Sequence, residues 1–196
     1  CEQGRDGTIS PVGESSLVPA VDGNDVTLTI NSGLQWYAQN SLAARIRDTG
    51  AKSGTVVIMD AKNGNLLSVA SYPTFDPNTD VGKKGAKLGN VAFSDVFEPG
   101  STSKIMTIAA ALEEGTVTPS TPVIIPNRLT RFDASFKDSH DHPTLYRTVA
   151  GTLAESSNIG TVLVSETMTS KTLESYFRKF GLGQRSGTGY PGEAKG

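Results

Sequence analysis

The chain has 196 residues, 36% hydrophobic and 19% charged, with a formal net charge of −2. That suits one soluble globular domain and excludes strong electrostatic steering towards nucleic acid or an anionic membrane. No apolar run is long enough to span a bilayer, no secretory signal pattern opens the chain, and the single cysteine, Cys1, excludes an intrachain disulfide.

Residues 1–24 are rich in Gly, Ser, Pro and Asp and lack apolar periodicity, so they read as a linker or the tail of a preceding domain. Cys1 is read as the point where the chain starts, not as a lipid anchor or a nucleophile. Asp25–Ile30 alternates like a short strand. Apolar residues at 34, 37, 38, 42, 43 and 46 form a helical stripe, with Trp36 and Tyr37 expected to pack. Thr55–Met59 and Leu66–Ala70 are predicted strands joined by the turn Ala61-Lys62-Asn63-Gly64-Asn65. Pro73 to Leu88 reads as a polar loop.

The phrase Glu98-Pro99-Gly100-Ser101-Thr102-Ser103-Lys104 comes next, followed by the apolar run Ile105 to Leu112. Pro99 and Gly100 break what precedes. The run predicts a helix buried on most sides and ended by Glu113-Glu114-Gly115. Ser101 then falls in its first turn with Lys104 one turn further on the same face, where hydroxyl and amine can meet. Serine needs an adjacent base to act as a nucleophile. Lysine is a base only when neutral, and burial favours the neutral form. The free N–H groups of the helix start favour an attacking alkoxide, and the Ser101 N–H can serve as one oxyanion donor. The plain alternative is a capping serine and a solvated lysine.

Short strands are predicted around Val123–Ile125 and Ala134–Phe136. In His140-Asp141-His142 the two histidines could hold a metal with Asp138 nearby. Zinc sites need three or four ligands, no third His exists and the single Cys stands at position 1, so a polar surface loop is expected. A short helix to Ala154 and another from Ile159 to Met168 flank Ser156-Ser157-Asn158. At that junction Ser156 can relay a proton between Lys104 and a leaving group, and Asn158 can bond a substrate amide. Helix capping is the alternative for both. Leu173 to Phe180 is an amphipathic helix ended by Gly181.

Ser101-x-x-Lys104 followed by Ser156-x-Asn158 resembles the motif set of penicillin-binding transpeptidases. The likeness extends to Asp95–Thr102, to the hairpin Ser53–Asp60 with Gly64–Ser71, and to Thr27–Ile30 with Leu34-Gln35. It runs from about Asp25 to the end and is strongest towards division-type class B enzymes of the actinobacterial kind. The resemblance implies an α/β chain of the α+β type: an antiparallel sheet flanked by helices, plus a helical lobe. Residues 25–196 would be the N-terminal part of the transpeptidase domain.

It also implies a reaction. Ser101 attacks the D-Ala–D-Ala carbonyl of a peptidoglycan stem peptide, an acyl-enzyme forms, and a neighbouring amine completes the cross-link. β-Lactam antibiotics acylate the same serine. No cofactor is implied and no nucleic acid. The implied partners are stem peptides, β-lactams, cell-wall synthesis or division proteins and the remainder of the domain. The implied location is the outer face of the cytoplasmic membrane, anchored by an upstream segment.

The family's third motif, Lys-Thr-Gly or a variant, does not follow Asn158. Lys52-Ser53-Gly54 precedes the nucleophile and reads as a loop. The chain is therefore expected to be the front part of a longer enzyme with an incomplete active site. Two other readings share the scaffold. One is a D,D-carboxypeptidase or β-lactamase, for which Glu155 is no convincing deacylation base. The other is a non-catalytic β-lactam sensor or a structural divisome module.

Overall fold

A computed structural model describes residues 20–79 and 88–196, residues 5 and 82, and the backbone of two short strands near the start. Those strands, β1 (Glu2–Gln3) and β2 (Ile9–Ser10), pair antiparallel. Most of the remaining 1–24 stretch read as linker lies outside the described residues, as do 80–81 and 83–87 of the polar loop.

The strand expected over 25–30 does not form. A ladder needs repeated backbone bonds. Here Thr29 Oγ1 donates to Leu66 O at 2.6 Å and Asn31 N to Leu67 O at 2.9 Å. These dock the segment without building a strand.

Helix α1 (Ser32–Thr49) starts where the Asn31 side chain accepts from Leu34 N, and it stops at Gly50, whose φ of 66° suits a residue without Cβ. Its buried stripe is Ala38, Leu42 and Ile46. Trp36 and Tyr37, expected to pack, are 69% and 66% exposed. Gln35 takes the sheet-facing place instead: its Oε1 accepts from Ser68 Oγ and Val69 N, and its Nε2 donates to Val69 O.

That face rests on the antiparallel hairpin β3 (Gly54–Met59) and β4 (Leu66–Tyr72), paired from Gly54↔Tyr72 to Met59↔Leu66 with an irregularity at Ile58/Met59. Lys52 and Ser53 lie in the loop ahead of β3, as expected. A short helix α2 (Val91–Ser94) was not legible in the sequence. It is held from the chain's far end, where Tyr190 stacks on Phe93 with centroids 4.6 Å apart.

A 3-10 turn over Gly100–Thr102 leads into α3 (Ser103–Glu113). The helix buries Lys104, Thr107, Ile108, Ala110 and Ala111. Ile105 and Leu112 point outward, so burial is one-sided and not all round.

Strand β5 (Pro122–Ile125) pairs antiparallel with β8 (Leu145–Thr148), and between them β6 (Leu129–Arg131) and β7 (Ala134–Phe136) form a second hairpin. β7 was anticipated in full and β5 all but Pro122, whereas β6 and β8 were not. Helices α4 (Val149–Ala154), α5 (Asn158–Ser165) and α6 (Ser170–Lys179) complete the described chain. The fold is α+β with antiparallel sheets, as expected.

Two apolar clusters hold it together. Ala38, Leu42, Ile46 and Ala70 join α1 to the first hairpin. Ile108, Ala111, Ile125, Val149, Ile159 and Val164 join α3, α4, α5 and β5. The second cluster presses α4 against α5 at Gly160, where an added Cβ would meet Thr152 Cγ2 at 2.5 Å and Ile125 Cδ1 at 3.1 Å. Gly160→Ala is expected to destabilise the protein by about 1–3 kcal/mol through overpacking. Gly89→Ala, with nothing within 4 Å of the new carbon, serves as the control in denaturant melts.

Candidate active site

Ser101 lies inside the 3-10 turn and is exposed. The turn is closed by neighbouring side chains: Thr102 Oγ1 donates to Pro99 O, and Ser103 Oγ donates to Gly100 O at 2.7 Å. Gly100 has φ 58°, which a Cβ would disfavour. These contacts set the entry to α3 and leave the Ser101 hydroxyl uncommitted among the described residues.

Lys104, one turn on, is only 8% exposed. Its Nζ donates to Ser156 O and to Ser156 Oγ, the latter at 3.0 Å. The expected direct bond between Ser101 and Lys104 is not made among the described residues. Ser101 sits in the tighter 3-10 turn, and the long lysine side chain is drawn across to α4–α5. Burial pushes the Lys104 amine below its ordinary value, and the negative charge of Asp138 partly opposes this.

The turn that receives the lysine is two helix caps run together. Ser156 N donates to Leu153 O and Ser157 N to Thr152 O, both at 3.0 Å, a Schellman closure of α4. Ser156 occupies its left-handed position at φ 55°, where glycine is the usual choice and a side chain costs about 1–2 kcal/mol. Ser157 then caps α5, its Oγ accepting from Gly160 N at 2.8 Å. The cap reading therefore belongs to Ser157. Ser156 and Asn158 flank it and are exposed. Asn158 Nδ2 donates to Lys137 O at 2.8 Å, which leaves its carbonyl oxygen for another donor.

Ser101, Lys104 and Asn158 line one cleft of about 670 Å³, together with Glu98, Phe136, Thr161 and Phe177. Ser156 joins the group through its bond to Lys104. A larger cavity of about 760 Å³, walled by Val57, Met59, Phe93, Val96 and Phe97, contains none of these four candidates.

Two neighbours of the site, Asp138 and His142, were weighed in the sequence only as metal ligands. Asp138 accepts from Ser157 Oγ at 2.7 Å, Asn158 N at 2.5 Å and Ile159 N at 3.0 Å. Burial alone would raise its carboxyl. The bonds from Ser157, Ile159, Asn158 and His142 outweigh burial and hold it below the usual carboxylate range. His142 Nε2 lies 3.2 Å from Asp138 Oδ2, and its Nδ1 lies 2.7 Å from Pro143 O. The side chains of His142 and Asp138 are only 14% and 11% exposed, so His142 departs from the surface loop expected over 140–142, while His140 and Asp141 are exposed. Asp141 instead pairs with Arg128 at 2.8 Å. Only the Asp type, common at helix starts, hinted at the role of Asp138, and its helix lies far along the sequence.

A serine at a helix entry, a buried lysine and a second hydroxyl thus come together on an α+β scaffold. The model of the penicillin-binding protein transpeptidase domain matches residues 54–196, and the chain belongs to that family. It is 36% identical to the penicillin-binding protein PbpB of Mycobacterium tuberculosis over 196 residues, which is 100% of this chain and 29% of the relative. It is 35% identical over 176 residues to the probable peptidoglycan D,D-transpeptidase PenA of Neisseria flavescens, covering 89% of this chain and 43% of that protein. Penicillin-binding protein 3 of Mycobacterium tuberculosis in complex with ampicillin superposes with a TM-score of 0.86 and 37% identity, over 93% of this chain and 40% of that one. The chain thus spans about 30% of the PbpB relatives' length.

In an NMR titration, the Lys104 side chain is expected to lose its proton at a pH below that of ordinary exposed lysines. A midpoint equal to theirs would contradict the burial described. Ser157→Ala should lower stability by about 1–2 kcal/mol through the lost cap, whereas Ser157→Thr should retain most of it. Denaturant melts of the two variants check this.

Proposed function

We propose that this chain carries the nucleophile half of a serine D,D-transpeptidase that cross-links peptidoglycan stem peptides. One observation carries the proposal: a buried lysine that lines the same cleft as Ser101 touches the serine of Ser156-x-Asn158.

Ser101 Oγ attacks the penultimate D-alanine carbonyl, and its proton passes to neutral Lys104. A neutral amine has two N–H groups and one lone pair. Ser156 O and Oγ accept the two N–H groups, which leaves the lone pair to take the serine proton. The Ser101 N–H at the helix entry stabilises the oxyanion as one donor. As the tetrahedral intermediate collapses, the proton travels through the Ser156 hydroxyl to the leaving nitrogen. D-Alanine departs and the acyl-enzyme remains. An amine of a neighbouring stem peptide then attacks the ester, its surplus proton returns through the same groups, and Ser101 is released. Asn158 holds a substrate amide with its free carbonyl oxygen. A β-lactam carbonyl follows the first half of this path and leaves Ser101 acylated.

The apolar surface of Val57, Met59, Val96 and Phe97 supports packing by further parts of a transpeptidase domain. On this reading the protein lies outside the cytoplasmic membrane, where peptidoglycan is cross-linked, with cell-wall synthesis or division proteins as proposed partners and an upstream segment as proposed anchor. The names of the relatives support the substrate and drug classes.

A fluorescent penicillin is expected to label the full-length protein at Ser101 with a long-lived adduct, and Ser101→Ala should abolish labelling. Equal labelling of both proteins would remove Ser101 from the mechanism, and rapid adduct loss with hydrolysed drug would favour a β-lactamase. Lys104→Ala should slow acylation by about a hundredfold or more. In the wild type, acylation should rise with pH as Lys104 loses its proton.

A further inference from the structure

We infer that Asp138 is a positioning residue for this site: from the loop after β7 its carboxylate grips the start of α5 and so fixes where Ser156 meets Lys104. The inference rests on the transpeptidase reading above.

The geometry is specific. One carboxylate oxygen accepts from the backbone amides of Asn158 and Ile159 at 2.5 and 3.0 Å, and the other from Ser157 Oγ at 2.7 Å. These are the residues immediately after Ser156. The bond from Asn158 Nδ2 to Lys137 O ties the same loop to the substrate-binding side chain. His142 braces the carboxylate from behind at 3.2 Å and is itself held by Pro143 O. Two free N–H groups at the start of α5 thereby gain an anionic acceptor, as helix starts favour.

Ser156 needs such support. It is a non-glycine residue at φ 55°, and such backbone persists only where its surroundings over-determine it. The Schellman bonds hold Ser156 from the α4 side, Lys104 holds its carbonyl, and Asp138 holds the chain that follows. Without Asp138 the α5 side of the turn loses its anchor, and Ser156 Oγ can move away from Nζ.

Among the described residues, Lys104 from α3 and His142 from its own loop are the titratable groups that face Asp138. Its negative charge favours the protonated form of Lys104 and opposes the effect of burial. Asp138 therefore acts on the base in two separable ways, by position and by charge.

The test measures β-lactam acylation of the full-length protein against pH for wild type, Asp138→Asn and Asp138→Ala, with folding followed by thermal melts. Asp138→Asn keeps the shape and one acceptor oxygen. It should acylate several-fold more slowly, with the midpoint of the pH profile moved to lower pH. Asp138→Ala should lose tenfold or more of the plateau rate. If Asp138→Ala fails to fold, the Asn variant decides alone. An Asn variant with wild-type plateau and midpoint overturns the inference, even if its melting temperature falls. Mass spectrometry of the labelled peptide separates the two failures. Absence of wild-type labelling at Ser101 overturns the transpeptidase reading and this inference together. Labelled wild type with unaffected Asp138 variants overturns only this one.

Discussion

The site depends on one contact between distant parts of the chain, the Lys104 amine on Ser156. A lysine tip taken out of water must find acceptors or give up its charge. Here it does both in part: a carbonyl and a hydroxyl receive its N–H groups, and burial favours the neutral form. The contact fastens α3 to the α4–α5 turn. The same burial that opposes its charge is what the proposed role as a proton acceptor requires.

The receiving turn is rigid because it serves two helices at once. α4 ends and α5 begins without an intervening loop. Its three residues are assigned to separate tasks: Ser156 closes one helix, Ser157 caps the next, and Asn158 opens it. Structural and chemical readings of this motif are therefore not rivals. Capping immobilises the backbone, and immobility gives the two flanking side chains their direction. The close approach of α4 and α5 at Gly160 continues this fixation into the core, beneath Thr152 and Ile125.

The helix that carries Ser101 follows a parallel logic. Gly100 turns the chain, hydroxyls of Thr102 and Ser103 return to backbone carbonyls, and Ser101 alone remains free among them. The cleft thus has an uncommitted serine hydroxyl and a buried lysine whose amine is held on a second serine. Its polar side is built by the α3–α5 lobe, while the first hairpin contributes the separate apolar cavity. The two cavities adjoin, since Pro99 and Leu182 line both.

Local chemistry in the sequence determined α1, the first hairpin, α3, the helix pair around Ser156–Asn158 and α6, because apolar periodicity and breaker residues act over one or two turns. It also marked Ser101, Lys104, Ser156 and Asn158 through their spacing. It misjudged Trp36 and Tyr37, since hydrophobicity does not tell which face of a helix meets a sheet, and Gln35 could satisfy the β4 backbone there. It missed α2, β6 and β8, which are short and held by partners remote in sequence. Tertiary structure alone decided that Lys104 bonds Ser156 and not Ser101, and that Asp138 and His142 stand behind the turn. Those contacts join residues separated by whole helices and strands, and no local pattern encodes a distance that only the packing of α3, α5 and the β7 loop creates.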